Sequence, residues 1–289
     1  MKNYIQTKPV VAFCLLSYLI TWLIQAPGLA AMQGNFRFND QFLLLLNISS
    51  YGPTLAALAV TFALQGFSGV KSLLKRALQW RISWLVYPAV FFLFPLISFL
   101  GYQILGIGAV EGENIFELFL TLVILAPVNA FVGSILLDIG PLGEELGWRG
   151  FLLPRLLEKY GEIKASVILG VLWGFWHFPL FLFSEWRGNV PIWQALALYP
   201  FSTILIAYVM TKFHQAGSGS VLIAILYHGI VNYTAGYIQN AKLWNIKSIP
   251  PITLELIILA FFATMAIVTG VLFRKNPGNL SRTIEPVPE

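Results

Sequence analysis

The sequence predicts an all-α polytopic membrane bundle of about eight transmembrane helices. Three observations carry that expectation. Only 11% of the 289 residues are charged. Soluble domains carry about 25%, so this chain lacks the polar surface a water-soluble globule needs. The mean hydropathy is +0.75. Eight apolar runs also approach the roughly 20 residues that cross the hydrocarbon core of a bilayer.

The runs lie at about 9–31, 42–65, 84–106, 115–138, 162–183, 191–213, 219–239 and 252–273. Lys2 and Lys8 before the first run resemble the start of a signal peptide. The run is long for a signal core and more spans follow, so it reads as a retained helix. It holds the single cysteine, Cys14, which can form no internal disulfide and reads as a small core residue. After the second run, Lys71 to Trp84 interleaves cations and apolar residues at helical spacing. It reads either as a helix lying flat on the inner surface near lipid phosphates or as an ordinary inside loop. After the fourth run, Gly140-Pro141 introduces a less apolar helical segment that ends near Tyr160. That segment either extends the fourth span deeper into the bundle or re-enters the membrane. Broken backbone at such depth is tolerated only where protein or a water-filled cavity surrounds it. Residues 1–275 therefore read as one membrane domain. The tail 276–289, with three prolines, reads as disordered.

The cations set the orientation. With the N-terminus in the cytoplasm, 13 of the 18 Lys and Arg residues fall in inside segments. Only Arg37, Arg187, Lys242 and Lys247 fall outside, and Arg149 is set aside because it belongs to a motif. This is the positive-inside pattern, and an even number of spans returns the C-terminus to the cytoplasm. A prokaryotic plasma membrane is the expected location. The net charge of +5 forms no dense basic stripe, so no nucleic-acid partner is expected. The expected partners are the lipid bilayer and a peptide or membrane protein; nothing in the sequence fixes an oligomeric state.

Ionisable side chains at membrane depth are costly and are functional candidates by default. Three clusters stand out. In Gly143-Glu144-Glu145-Leu146-Gly147-Trp148-Arg149, Glu145 and Arg149 are four apart with the acid first, the favourable order for a helical ion pair. Glu144 points about 100° away around the helix. It has no cation near it in sequence. The unpaired member of two adjacent carboxylates in a low-dielectric site tends to hold a proton more tightly, which suits general acid–base work on water. Gly143 and Gly147 keep the surface small enough for a neighbouring helix to approach. In Trp173-Gly174-Phe175-Trp176-His177-Phe178-Pro179, Trp173 and His177 share a face. Pro179, just beyond, bends the helix, and Gly170 and Gly174 form a second small pair. In His228-Gly229-Ile230-Val231-Asn232, His228 and Asn232 share a face of the seventh run.

Each cluster alone has a structural explanation: a helix–helix hydrogen bond, an amide joining two spans, or an ion pair. Together they place two carboxylates, a guanidinium, two imidazoles and an amide on three helices, a costly arrangement with no evident structural gain. Asp138 could cap the segment after the Gly140-Pro141 break or support the site. Asp40 and Glu255, near helix ends, read as interfacial, and His214, beside Lys212, as a solvated loop residue. Ser49, Ser50, Ser134 and Ser202 form no nucleophile motif.

Two chemistries stay open for the set. Glu144, His177 and His228 supply the three ligands of a catalytic site for zinc or another divalent metal. Alternatively, Glu144 and His177 polarise a water directly while His228 and Asn232 donate to an oxyanion. Both end in amide hydrolysis.

The order Glu-Glu-x-x-x-Arg (Glu144, Glu145, Arg149), aromatic-x-x-x-His (Trp173, His177) and His-x-x-x-Asn (His228, Asn232) resembles the CPBP family of CAAX-processing and bacteriocin-processing intramembrane proteases. Gly52-Pro-x-x-Ala-Ala57 and Gly150-Phe-Leu-Leu-Pro154 are also family-like, and the resemblance covers about residues 45–240. It implies a helical membrane fold whose cavity opens toward the cytoplasm and the membrane. Glu144 and His177 would act on the hydrolytic water, Glu145 and Arg149 would support them, and His228 and Asn232 would complete the site. In the CAAX branch the substrate is a prenylated C-terminal peptide. Two other readings stand beside the endopeptidase. A proton-coupled transporter would show inverted repeats, whereas all three clusters lie in the second half. A non-enzymatic immunity or scaffold protein would keep the pocket without the chemistry.

Overall fold

The computed structural model describes residues 2–31, 40–105, 114–136, 139–183, 186, 190–239 and 249–274. They are helical, with no strand among them. In chain order the helices are α1 (Lys2–Thr7), α2 (Pro9–Ala31), α3 (Asp40–Ser49), α4 (Gly52–Ala77), α5 (Val86–Ile104) and α6 (Ile115–Phe119). A π turn, Leu120–Leu125, joins α6 to α7 (Ala126–Leu136). Next, α8 (Ile139–Glu145) runs through a second π turn, Leu146–Leu152, into α9 (Leu153–Trp176). A 3-10 turn, Phe178–Leu182, precedes α10 (Ile192–Ala216), α11 (Val221–Gln239) and α12 (Pro251–Leu272).

Among the described residues, seven helical stretches are long and apolar enough to cross a membrane: Pro9–Ala30, Leu44–Ala77, Val86–Ile104, Ile115–Ser134, Ile192–Ala216, Val221–Ile238 and Pro251–Leu272. The fifth of the eight expected runs, 162–183, is not among them. Gly161, at φ 72°, takes the left-handed backbone open to glycine and breaks α9 before that run begins. His177 ends the helix and Pro179 keeps it from resuming. The stretch 162–176 is therefore about 22 Å long at 1.5 Å per residue, and the 3-10 turn follows it.

Gly66, at φ 65°, makes a similar corner in α4. The helix beyond it runs only to Ala77, so the cationic segment Lys71–Trp84 is part helix and part turn. Phe67, Leu78, Trp80 and Trp84 are exposed there alongside Lys71, Lys75 and Arg81. Arg76 instead turns inward and donates to the Gly150 carbonyl.

The segment after Gly140-Pro141 enters the bundle. Gly143 through Pro154 is buried, packed against α4 and α11. Its glycines make this possible. A Cβ on Gly147 would lie 2.5 Å from the Pro53 carbonyl at the start of α4, and one on Gly143 would lie 2.9 Å from Ser50. On α9, a Cβ at Gly170 would lie 2.4 Å from the Ile204 Cα of α10. The expected small-residue contacts thus exist. The expectation for His214 fails: α10 continues to Ala216, and His214 is buried in its last turn. Neighbouring Lys212 is buried too, paired with Glu162 at 2.7 Å. Asp138 and the tail 276–289 lie outside the described residues.

Candidate active site

Glu144 and Glu145 stand at the end of α8, where the chain passes into the π turn. Such turns recur at functional sites because they re-aim side chains within a helix. Arg149, inside the turn, donates from Nη1 to both oxygens of Glu145, at 2.8 and 2.9 Å. This is the ion pair expected from the spacing. The Glu145 carboxylate also meets Nδ1 of His228, 2.9 Å from Oε1. Glu145 and Arg149 are wholly buried. The cluster Arg149–Glu145–His228 thus ties the π turn to α11.

Glu144 faces elsewhere. One of its oxygens accepts a 2.7 Å hydrogen bond from the Trp173 indole N–H, and the residue lines a cavity of about 540 Å³. Trp173 holds several groups at once. Its ring lies 4.5 Å from the Arg149 guanidinium carbon and meets the His228 ring edge-on at 5.3 Å. Its carbonyl lies 2.8 Å from His177 Nδ1. A carbonyl only accepts, so that bond places the His177 proton on Nδ1 and leaves Nε2 as a lone pair. His177 also lines the cavity, its ring packed among Trp176, Trp186 and Tyr199 at 4.7, 5.7 and 5.5 Å. Asn232 lies one turn beyond His228 and faces the cavity, with no hydrogen-bond partner among the described residues.

The structure brings the six expected residues into one region of the bundle. Glu145, Arg149 and His228 touch directly. Glu144 and His177 meet through Trp173, and Asn232 joins along the cavity wall. Ser50 and Ser202 also line the cavity, and the Ser50 hydroxyl donates to the Asn47 carbonyl.

Several contributors carry no ionisable signal in the sequence. Beyond the expected face shared with His177, Trp173 serves as a hydrogen-bond donor. Helix α2 fixes the end of α9: Tyr18 donates to the Leu172 carbonyl, and Trp22 donates to the Trp176 carbonyl at 3.0 Å. Trp176 in turn donates to Thr21 at 2.9 Å. These bonds satisfy carbonyls that a helix end leaves without partners and so hold His177 in place. Glu255, expected at an interface, instead lines the cavity from α12.

The expected metal trio is Glu144, His177 and His228. The donor atoms that gather within 4.8 Å of one another belong to Glu144, Glu145 and His228, not to the expected trio Glu144, His177 and His228. Two carboxylates and an imidazole match a catalytic zinc site in type and number. The hydrogen bonds argue against that use, because Glu145 already accepts from Arg149 and from His228 Nδ1. A dication on Glu145 would also face the Arg149 cation. The set does not fit a three-ligand metal site without displacing Arg149.

Comparison with known proteins identifies the segment that carries this geometry. A family model described as "Type II CAAX prenyl endopeptidase Rce1-like" matches residues 118–234. "CAAX prenyl protease 2" of Methanococcus maripaludis is 33% identical over 93 residues, 31% of this chain and 34% of that protein. The chain thus spans about a third of the length of the curated relative it matches. Running from α6 to α11 through all three motifs, the matched segment is similar to the type II CAAX prenyl endopeptidases.

Proposed function

We propose that the protein is an intramembrane endopeptidase in which Glu144 activates the hydrolytic water. The observation that carries this reading is the state of Glu144. It is a buried carboxylate oriented by Trp173 on one oxygen and facing a cavity that His177, His228 and Asn232 also line. In the reaction, Glu144 takes a proton from a water that also donates to His177 Nε2. The resulting hydroxide adds to a peptide carbonyl carbon. Asn232 and protonated His228 donate to the oxyanion, where such preorganised donors are most effective. Glu144 then returns the proton to the leaving amine as the C–N bond breaks. Arg149 pairs with Glu145, and Glu145 orients His228.

The substrate class follows the family and the walls. The cavity is largely apolar and aromatic, suited to an extended apolar peptide segment. A CAAX-type prenylated peptide is the first substrate to assay, and a bacteriocin-type peptide the second. The Lys and Arg bias supports a reading in which both termini face the cytoplasm, in a prokaryotic plasma membrane.

The test is cleavage of a prenylated CAAX peptide by purified wild type and Glu144→Ala, with metal content measured on the same preparations. The expected result is cleavage by the wild type and none by a folded variant. Cleavage by Glu144→Ala at the wild-type rate would remove Glu144 from the mechanism. Stoichiometric metal that is lost in His228→Ala would replace direct water activation with a metal route.

A further inference from the structure

Glu144 is not the only carboxylate in the cavity. Glu255 lines it from α12, a helix that carries none of the three motifs. The two acids share one space, whose wall also includes Tyr199. Their surroundings differ. Glu144 has the Trp173 indole and Glu145 has Arg149. Glu255 has neither a hydrogen bond nor an ion pair among the described residues, and its neighbours on the same wall are Ile258 and Phe262. No Lys or Arg occurs among the described lining residues. An unpaired carboxylate within a membrane span is costly and marks a pathway or a ligand site. The one cation of the proposed mechanism among the described lining residues, His228, is already bonded to Glu145, so a cation that enters the cavity finds Glu255 unpaired.

Resting on the endopeptidase reading of this cavity, we infer that Glu255 is a specificity residue that receives a basic side chain of the peptide substrate. A lysine fits this space in both its parts. Its aliphatic stem lies along apolar wall, and its ammonium reaches the carboxylate. The paired rings of Trp186 and Tyr199, 4.7 Å apart, add faces that attract a cation. An acidic side chain in the same place meets Glu255 as a like charge.

The experiment uses apolar peptides that carry lysine, norleucine or glutamate at one position, moved stepwise along the peptide. Binding is measured on full-length Glu144→Gln in lipid nanodiscs, and cleavage on the wild type. At one position lysine should exceed norleucine by at least about tenfold in affinity and in kcat/KM, with glutamate last. Glu255→Gln should collapse the lysine-to-norleucine ratio toward one, and Glu255→Lys should move the preference to glutamate. Cleavage of lysine and norleucine peptides at equal rates at every position would overturn the role of Glu255 and leave the endopeptidase reading intact. Lysine-selective binding without cleavage would do the reverse. No binding and no cleavage of any peptide would overturn both.

Discussion

Glu144 and Glu145 are neighbours in the chain and opposites in environment. Glu145 is fully enclosed, with its oxygens taken by Arg149 and His228. Glu144 holds one indole N–H and otherwise faces a cavity. A turn of about 100° around the helix axis separates them, enough to aim one into the joint between the π turn and α11 and the other at the cavity. On the proposed endopeptidase reading, the carboxylate with a full set of partners works as a lock, and the one with an incomplete set works as a reagent. The fold obtains both from a single dipeptide.

The comparison predicts different failures on its two sides. The largest effect belongs to the lock. Arg149→Leu leaves the Glu145 charge buried without its cation and should destabilise the protein by about 3–5 kcal/mol, read as lost thermal stability before any assay. On the reagent side, Asn232→Ala should lower kcat by about 10²–10³ as an oxyanion donor is lost, with the unfolding temperature unchanged. Stability loss in that variant would move Asn232 to the lock. Trp173→Phe keeps an aromatic ring against Arg149 but removes the bond to Glu144, an interaction with a charged group worth about 1.5–3 kcal/mol. It should appear mainly as a reduced kcat, since His177 bonds the backbone of residue 173. The smallest effect lies at the supporting helix. Tyr18→Phe removes one bond to the Leu172 carbonyl and should cost about 1 kcal/mol in stability, with cleavage nearly unaffected.

What could be read from the sequence followed from short-range periodicity. The apolar runs appear as helices because the bilayer demands length and uniform composition, which a single chain displays openly. The Glu145–Arg149 pair, the shared faces of Trp173 with His177 and His228 with Asn232, and the close contacts at Gly147 and Gly170 all rest on spacings of three or four residues. What escaped is tertiary. The distance of Glu255 from the end of its helix says nothing about whether its side chain meets lipid headgroups or an internal cavity. His214 looked solvated because Lys212 stands two residues away, yet Glu162 neutralises that lysine from another helix. The fifth run reads as a full span by hydropathy, which does not register the positive φ of Gly161. The support from Tyr18, Thr21 and Trp22 involves side chains ordinary in any membrane helix, joined to partners some 150 residues away.

The most direct measurement compares Glu144→Gln with Glu145→Gln, each purified in the same lipid and assayed for both thermal unfolding and peptide cleavage. The account predicts that Glu144→Gln unfolds at the wild-type temperature and cleaves nothing, whereas Glu145→Gln unfolds well below it. Equal unfolding losses in the two variants, or cleavage by Glu144→Gln at the wild-type rate, would contradict the division of labour between the two carboxylates.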